Sequence, residues 1–461
     1  MEHVDVAIVG GGPAGSSAAA AAANEGADAV VFEKGVPRSD REHLGPDSTD
    51  AAGFLDYWVE VADIDYTEIP DDVILQELEC AEFIGPSERV VLRDTNLPSS
   101  YPEFGFTFHR ARFDDWLRER AEEAGADYRV GTGVRTVETE LAAGHTHYLT
   151  LNDGTEVEAD YLVLADGPQR QQTIPTLDQF VPEGRSVSEV LSPPEANHIA
   201  YQEYRRFPED AFEPGNIKFW WGWMPGETAY PWVFPNDGNV ARVGLTMPIG
   251  MDIDQVDGRE DYRLLSPDDD EVPQGGVYIR RLLDEAYPEY DLEDFPLVES
   301  RGKSGGTETY PISSTKPIDS PTRAGIAVAG GAMGTTSAFH EGGDHVAMRT
   351  GKLAGKLAAT DRLEAYNDAW TDAIDAEILR NIAMAEVVED FGPADWDRSF
   401  RAVNRVLSLD ASATPTPNQI LKWARAAGFQ GFKIAAAYRW QKRRYRNGKY
   451  VQFREDEYVY S

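Results

Sequence analysis

Three glycines and one acid stand where they could hold a dinucleotide. The apolar run Val4–Val9 enters the turn Gly10-Gly11-Gly12-Pro13-Ala14-Gly15. An alanine-rich stretch, Ser16–Asn24, reads as a helix, and a second apolar run, Ala29–Phe32, ends in Glu33-Lys34. Strand, Gly-x-Gly-x-x-Gly turn, helix, and an acid about 20 residues on form the dinucleotide fingerprint in its required context. Gly10 permits the tight turn, Gly12 a close backbone approach to a pyrophosphate, and Gly15 close packing of helix on strand. The helix N-terminus offers free N–H groups and partial positive charge to the phosphates. Glu33 can accept from both ribose hydroxyls. FAD and NAD both use this fingerprint.

Two further strand ends bear on that choice. Tyr161–Ala165 runs into Asp166-Gly167, and Ala324–Ala329 runs into Gly330-Gly331. Open α/β sheets present ligands at the carboxyl ends of their strands. Three such ends spread over most of the chain describe an extended cofactor and favour FAD. A separate set is aromatic. Tyr230, Trp232 and Phe234 are spaced two apart and share one face of a strand. Asn236-Asp237-Gly238 turns that strand back along Val240–Met247, and Phe219, Trp220, Trp221 and Trp223 lie just upstream. Such a face can wall a long apolar cavity suited to a hydrocarbon, or be the core of a β domain.

The elements that must position these residues alternate. After a polar segment, Val36–Asp50, a short helix is expected over Ala51–Val61, strands over Val73–Phe83 and Val90–Arg93, and a helix opening at Arg110 and closing at Gly125. Tyr128–Val130 and Val134–Glu138 read as strands, and Tyr148–Leu151 with Glu156–Ala159 as a hairpin. From Pro168 the chain turns Pro-, Asp- and aromatic-rich with few helical runs. A helix follows over Gly343–Ala359, and the rest is mostly helical. The expected fold class is α/β: a Rossmann-like FAD-binding domain (1–72, 106–167 and 301–360), an inserted antiparallel β-sheet substrate domain (73–105 and 168–300) and a helical C-terminal region with a basic tail (361–461).

On these residues the chain resembles the geranylgeranyl reductase family, FAD enzymes on the fold of the aromatic hydroxylases that reduce isolated C=C bonds of isoprenoid chains. The resemblance rests on the N-terminal fingerprint with Glu33, on Arg110-x-x-Phe113-Asp114, on Leu164-Ala165-Asp166-Gly167-Pro168, and on Tyr230-x-Trp232-x-Phe234-Pro235 followed by Gly244. Met348–Ala354 is similar to the family's segment after its last flavin motif. The resemblance implies that Gly10, Gly12, Pro13, Ala14, Gly15, Glu33, Lys34, Arg110, Val134, Asp166, Gly167, Gly331, Gly342 and Gly343 bind FAD, Arg110 at the diphosphate and Asp166 near the diphosphate and ribitol. It implies that Tyr230, Trp232, Phe234 and Gly244 hold the substrate, with Gly244 letting its strand pass close to the flavin. There are departures. The family's Cys-Gly pair is replaced in Glu42-His43-Leu44-Gly45-Pro46, its Gly-Asp by Gly330-Gly331, and the second Gly of its Gly-x-Gly by Thr246. Asp344 could compensate for the lost carboxylate. The turn expected beside the isoalloxazine reads Phe339-His340-Glu341-Gly342-Gly343. Alkene reduction needs a hydride and a proton, and His43 and His340, in segments expected to flank the flavin, are candidate proton donors because histidine titrates near neutrality.

Composition bounds the partners. The 461 residues carry 80 acidic against 43 basic side chains, a net charge of −37. This excludes nucleic-acid binding through the general surface and reads as adaptation to a salt-rich cytoplasm. A single cysteine, Cys80, excludes an intramolecular disulfide or a cysteine cluster for metal. The first strand begins at Val4, so no leader is expected, and no apolar stretch spans a bilayer. Between Asp410 and Glu455 no acid appears, while Lys422, Arg425, Lys433, Arg439, Lys442, Arg443, Arg444, Arg446, Lys449 and Arg454 alternate with aromatics, among them Trp423, Phe429, Phe432, Tyr438 and Trp440. Such a segment suits an anionic membrane surface or neutralises the acidic body. The expectation is a cytoplasmic enzyme, peripheral on the inner face of the membrane, acting on an isoprenoid lipid with an unidentified electron donor. The alternatives are an electron-transfer dehydrogenase or monooxygenase of the same fold, or a non-catalytic relative without FAD. Trp221-Gly222-Trp223-Met224-Pro225 is similar to the tryptophan motif of flavin halogenases but one residue short in spacing.

Overall fold

The computed structural model describes residues 1–37, 53–142, 144–193, 197–302, 304–313, 316–408 and 417–460, and side chains of the last segment from 431 onward together with 428. His43, the Glu42–Pro46 stretch and the side chains of Trp423 and Phe429 lie outside the described residues.

The first sheet is centred on the strand Glu2–Val9, whose run Val6–Val9 is buried on both faces, the condition of an interior parallel strand. It pairs in parallel with Ala29–Phe32 on one side and with Glu156–Leu164 on the other. Asp127–Arg129 extends the sheet beyond Ala29–Phe32. The strand Glu156–Leu164 forks. Its first half pairs with the antiparallel strand Thr146–Leu151, which in turn pairs with Val134–Glu140, and its second half pairs in parallel with Ile326–Val328. The expected hairpin strand Glu156–Ala159 and the buried run at Leu164 are therefore one continuous strand. The helices Pro13–Asn24 and Asp344–Ala359 cross with their backbones in contact. A Cβ on Gly351 would stand 2.0 Å from the Ala14 carbonyl oxygen, and one on Gly355 1.9 Å from that of Ala18.

The second sheet has seven strands in the order Thr307–Ser313, Asn197–Arg206, Val240–Pro248, Tyr230–Pro235, Asn216–Trp220, Cys80–Ile84 and Arg89–Leu92. Val243 and Leu245 pack on Tyr278, Ile279, Leu282 and Leu283 of the helix Gly275–Ala286, a 12-residue exception to the helix-poor reading of this segment. The opposite face carries Tyr230, Trp232, Phe234, Trp221 and Ala200.

A three-stranded sheet of Gly53–Leu55, Ile74–Leu78 and Gly105–Phe108 completes the β structure. Two expectations are corrected here. Val73–Phe83 is not one strand: Ile74–Leu78 belongs to the small sheet and Cys80–Ile84 to the large one. The break falls where the Gly215 carbonyl accepts from both Glu79 and Cys80, at 2.7 and 3.2 Å. The helix expected from Ala51 begins at Asp56, after a strand.

The C-terminal region is helical over Tyr366–Val388, Pro393–Leu407 and Pro417–Tyr445, the last broken at Gly428 (φ 64°, ψ −159°). The tail returns to the body, Asp319 donating to the Phe453 carbonyl at 2.8 Å and Val459 to that of Phe180 at 2.7 Å. Among the described residues no helix is long and apolar enough to cross a membrane.

Candidate functional site

The sheets enclose a cavity of about 1270 Å³. Gly10, Gly12, Glu33 and Lys34 line one end, Asp166, Gly167, Gly331 and the 339–344 turn its middle, and Tyr230, Trp232, Phe234, Phe219, Trp221 and Tyr310 its apolar wall. Pro13, Ala14, Arg110, Val134, His340, Gly342 and Gly343 also line it. Gly15 and Gly244 do not.

The glycine turn is shaped for a close ligand. Gly10 has φ 99°, and a Cβ there would lie 2.5 Å from the Ala165 carbonyl oxygen. A Cβ on Gly15 would lie 1.8 Å from the Gly10 carbonyl oxygen, so this glycine closes the turn from behind. A Cβ on Gly12 would meet nothing within 4 Å, leaving that side open. The helix that begins at Pro13 has no side-chain cap and no acid in its first turn. Its N–H groups and positive end therefore lack a protein counter-charge, the condition that favours an anion. Tyr128, which no motif in the sequence singles out, pins the turn: its hydroxyl donates to the Gly11 carbonyl at 2.5 Å and meets Ser16 Oγ at 3.0 Å. Glu33 accepts from the Gly11 and Gly35 N–H groups, both at 2.6 Å, and each oxygen keeps further lone pairs for a ligand. Among the described residues the open cradle, the uncapped helix and the length of the cavity fit FAD.

Toward the middle of the cavity, backbone and cations take the place of carboxylates. Asp166 is engaged locally, accepting from the N–H groups of Gln172 at 2.6 Å and Thr173 at 3.1 Å. Arg110 pairs with Asp114 at 2.9 Å and with Asp344 at 3.0 Å. Asp344 thus neutralises Arg110 rather than standing in for the acid absent at Gly331. No spacing rule in the sequence points to Arg170. It is fully buried, sits at φ 51°, and donates to the carbonyls of Gly331 (2.9 Å), Ala332 (3.0 Å) and Leu191 (2.7 Å). Burial pushes its guanidinium down to about 10, Asp166 acting the other way. Arg170 therefore ties the Gly330–Ala332 turn to the Gly167–Arg170 turn. Gly331 itself abuts Pro168, whose Cδ would lie 3.2 Å from an added Cβ. The only signal of Arg170 in the sequence is an arginine three residues after Asp166-Gly167 in an acidic chain.

The apolar wall is built by register. Tyr230, Trp232 and Phe234 face the cavity opposite Thr246, Gly244 and Arg242 of the returning strand. Trp221 stacks on Tyr230 with ring centroids 4.4 Å apart. The Tyr230 hydroxyl donates to the His340 carbonyl at 2.9 Å, joining wall and turn. Gly244 makes room for Trp232, whose indole carbons would lie 2.5 Å from an added Cβ. That is a packing role, in place of the expected approach to the flavin. His340 corrects a second expectation. Burial, with His345 adding, pushes its imidazole down to about 4, and its Nδ1 accepts from the Gly342 N–H at 3.2 Å. It is uncharged at neutral pH.

This fold, a Rossmann-like domain carrying an inserted antiparallel sheet and a helical C-terminal region, with its open glycine cradle, defines an FAD-dependent oxidoreductase. The family model described as "FAD binding domain" matches residues 5–52, and that described as "Tryptophan halogenase" matches residues 42–185, short of the Trp221–Pro225 run. The chain is similar to digeranylgeranylglycerophospholipid reductases. It is 24% identical over 416 residues to digeranylgeranylglycerophospholipid reductase 2 of Methanopyrus kandleri, covering 87% of this chain and 90% of that protein. Its fold matches a geranylgeranyl bacteriochlorophyll reductase-like protein of Thermoplasma acidophilum with a TM-score of 0.70 at 21% identity, over 96% of this chain and all of that one. A flavin-dependent brominase shares the fold with a TM-score of 0.61 at 16% identity, over 96% and 99% of the two chains.

Proposed function

We propose that this protein reduces isolated C=C bonds in the isoprenoid chain of a geranylgeranyl lipid or prenyl quinone, at a membrane surface. The observation that carries the reading is the continuity of the cavity: the glycine cradle and the aromatic wall line one space. The homology to digeranylgeranylglycerophospholipid reductases supports the same substrate class. FAD, reduced by a donor not yet identified, supplies the hydride. The chain's own residues divide the remaining work. Gly10 and Gly15 shape the turn and Gly12 leaves its backbone open to the diphosphate, with Pro13 and Ala14 opening the helix. Glu33, Lys34 and Val134 bound the adenosine end, Arg110 and Asp166 the diphosphate and ribitol region, and Gly167, Gly331, Gly342 and Gly343 the flavin end. Tyr230, Trp232 and Phe234 grip a hydrocarbon by contact area and exclude water, since the chain offers no hydrogen bonds to hold.

The C-terminal helix supports the membrane part of the reading. Phe432 and Trp440 are 66% and 61% exposed, and Lys433, Arg439, Lys442, Arg443 and Arg444 are exposed beside them. Exposed aromatics among cations on a chain of charge −37 give one face that an anionic bilayer attracts while the body is repelled.

The test is purification at high salt followed by reduction and incubation with prenyl lipids in anionic vesicles. A yellow protein and mass gains of about two per reduced bond, one hydride plus one proton, are expected. Colourless protein that cannot be reconstituted with FAD would identify a non-catalytic relative. Yellow protein that leaves every prenyl lipid unchanged would favour a monooxygenase, halogenase or electron-transfer dehydrogenase.

A further inference from the structure

Beside the aromatic wall the cavity is lined by a buried carboxyl group with no strong cation against it. Glu341 sits in the turn between the Gly330–Met333 segment and the helix Asp344–Ala359, at φ 57°. That is a left-handed conformation a non-glycine residue holds only when its surroundings fix it. The fixing bonds are present: its N–H donates to the Ser337 carbonyl at 3.1 Å, and the adjoining Gly342 carbonyl accepts from the Ser337 N–H at 3.0 Å. The side chain is 3% exposed. Thr228 Oγ1 reaches Oε1 at 3.5 Å, and His198 Nε2 lies 3.8 Å from the same oxygen. His198 Nε2 is already engaged with the Glu227 carbonyl at 3.0 Å. A carbonyl only accepts, so Nε2 carries that hydrogen. Thr246, the register partner of Tyr230, faces the carboxyl. Glu341 Oε2 has no hydrogen-bond partner among the described residues.

Burial raises the affinity of Glu341 for its proton, with His198, Thr246 and Thr228 acting the other way. The neighbouring His340 is shifted the other way and holds no ionisable proton to give at neutral pH. The turn thus carries two titratable groups, each of which burial shifts toward its neutral form.

We propose that Glu341 is the catalytic acid of this site, its carboxylic O–H delivering to one alkene carbon the proton that completes the reduction. This inference rests on the reading of the protein as a prenyl reductase. The C=C π bond breaks and two C–H bonds form, one from the hydride and one from the Glu341 O–H. Both electrons arrive with the hydride. The carboxylate left behind regains its proton from water before the next turnover. The titratable groups facing it are His198 from the strand Asn197–Arg206, Tyr230 from the strand Tyr230–Pro235, and His340 in its own turn.

The test compares wild type, E341Q and E341D as FAD-loaded proteins. Infrared spectra at neutral pH are expected to show a protonated-carboxyl carbonyl band in wild type that E341Q lacks. In single turnovers with a geranylgeranyl lipid, E341Q is expected to lose about 10²–10³-fold in kcat with flavin absorbance and lipid KM unchanged, and E341D to recover part of the loss. The fall of wild-type activity at alkaline pH should vanish in E341Q. An active wild type with an equally active E341Q, or no infrared difference between them, overturns this inference and leaves the reductase reading intact. A wild type inert toward every prenyl lipid removes both.

Discussion

Trp232 and Gly244 are a single fitting. The indole occupies the space that a side chain on the opposite strand would need, with three ring atoms within 2.6 Å of an ideal Cβ. G244A therefore forces the ring into the cavity or off its strand. The expected result is a loss of roughly 1–3 kcal/mol, read by denaturant titration, together with a changed tryptophan emission. A variant as stable as wild type with unchanged emission would show that the ring is not seated there. Residues whose role is local were legible in the sequence: Gly10, Gly12, Gly15 and Glu33 work within one strand–turn–helix–strand unit, and their spacing carries that geometry. Arg170, Tyr128 and Glu341 were not legible. Each acts on partners that only tertiary folding delivers, such as Gly331 for Arg170 and Thr228 for Glu341, and no spacing rule encodes those meetings.

At the scale of elements, hydrophobic pattern identified strands without identifying their neighbours. Val73–Phe83 reads as one apolar-rich run, yet it changes sheets at Glu79, where Gly215 supplies the next partner. The long strand through Ala159 and Leu164 reads as two in the sequence, and its two halves have different neighbours. His147 shows what such a shared strand costs. Buried in the strand Thr146–Leu151, it bonds Thr139 Oγ1 through Nδ1 at 2.9 Å and the Gly325 carbonyl through Nε2 at 3.2 Å. Burial, with His145 adding, pushes it down to about 3. A base whose folded pKa is lowered favours folding fully above its unfolded value near 6.5, and that contribution falls away as pH drops toward the folded value. Between about pH 6.5 and pH 5 this group alone should remove about 2 kcal/mol of stability. His147→Gln should flatten the loss by that amount in urea titrations across the interval. An unchanged slope would show that the imidazole is not held neutral.

For the whole molecule the dominant quantity is charge. With a net charge of −37, self-repulsion acts over about 10 Å at 0.1 M salt and about 3 Å at 1 M. The melting temperature is therefore expected to rise by roughly 5 °C or more on going from about 0.1 M to about 1 M KCl. A flat or falling response would mean that the acids are dispersed for solubility alone. The same balance makes the cationic, aromatic C-terminal helix an exception on its own surface.

The fork in the strand Glu156–Leu164 also bears on the order in which the protein comes into being. During synthesis the cradle at Gly10–Gly15, Glu33 and Asp166 leaves the ribosome long before Ile326–Val328, which pairs with the second half of that strand. Gly331 and the helix Asp344–Ala359, whose glycines lock onto the first helix, emerge later still. Until then one edge of the sheet and one wall of the cavity do not exist, and the antiparallel sheet between them must form while its neighbour is unfinished. Contacts this distant in sequence close late and leave strand edges exposed in the interval. The nascent chain is thus most vulnerable to mispairing just before its cofactor can enter.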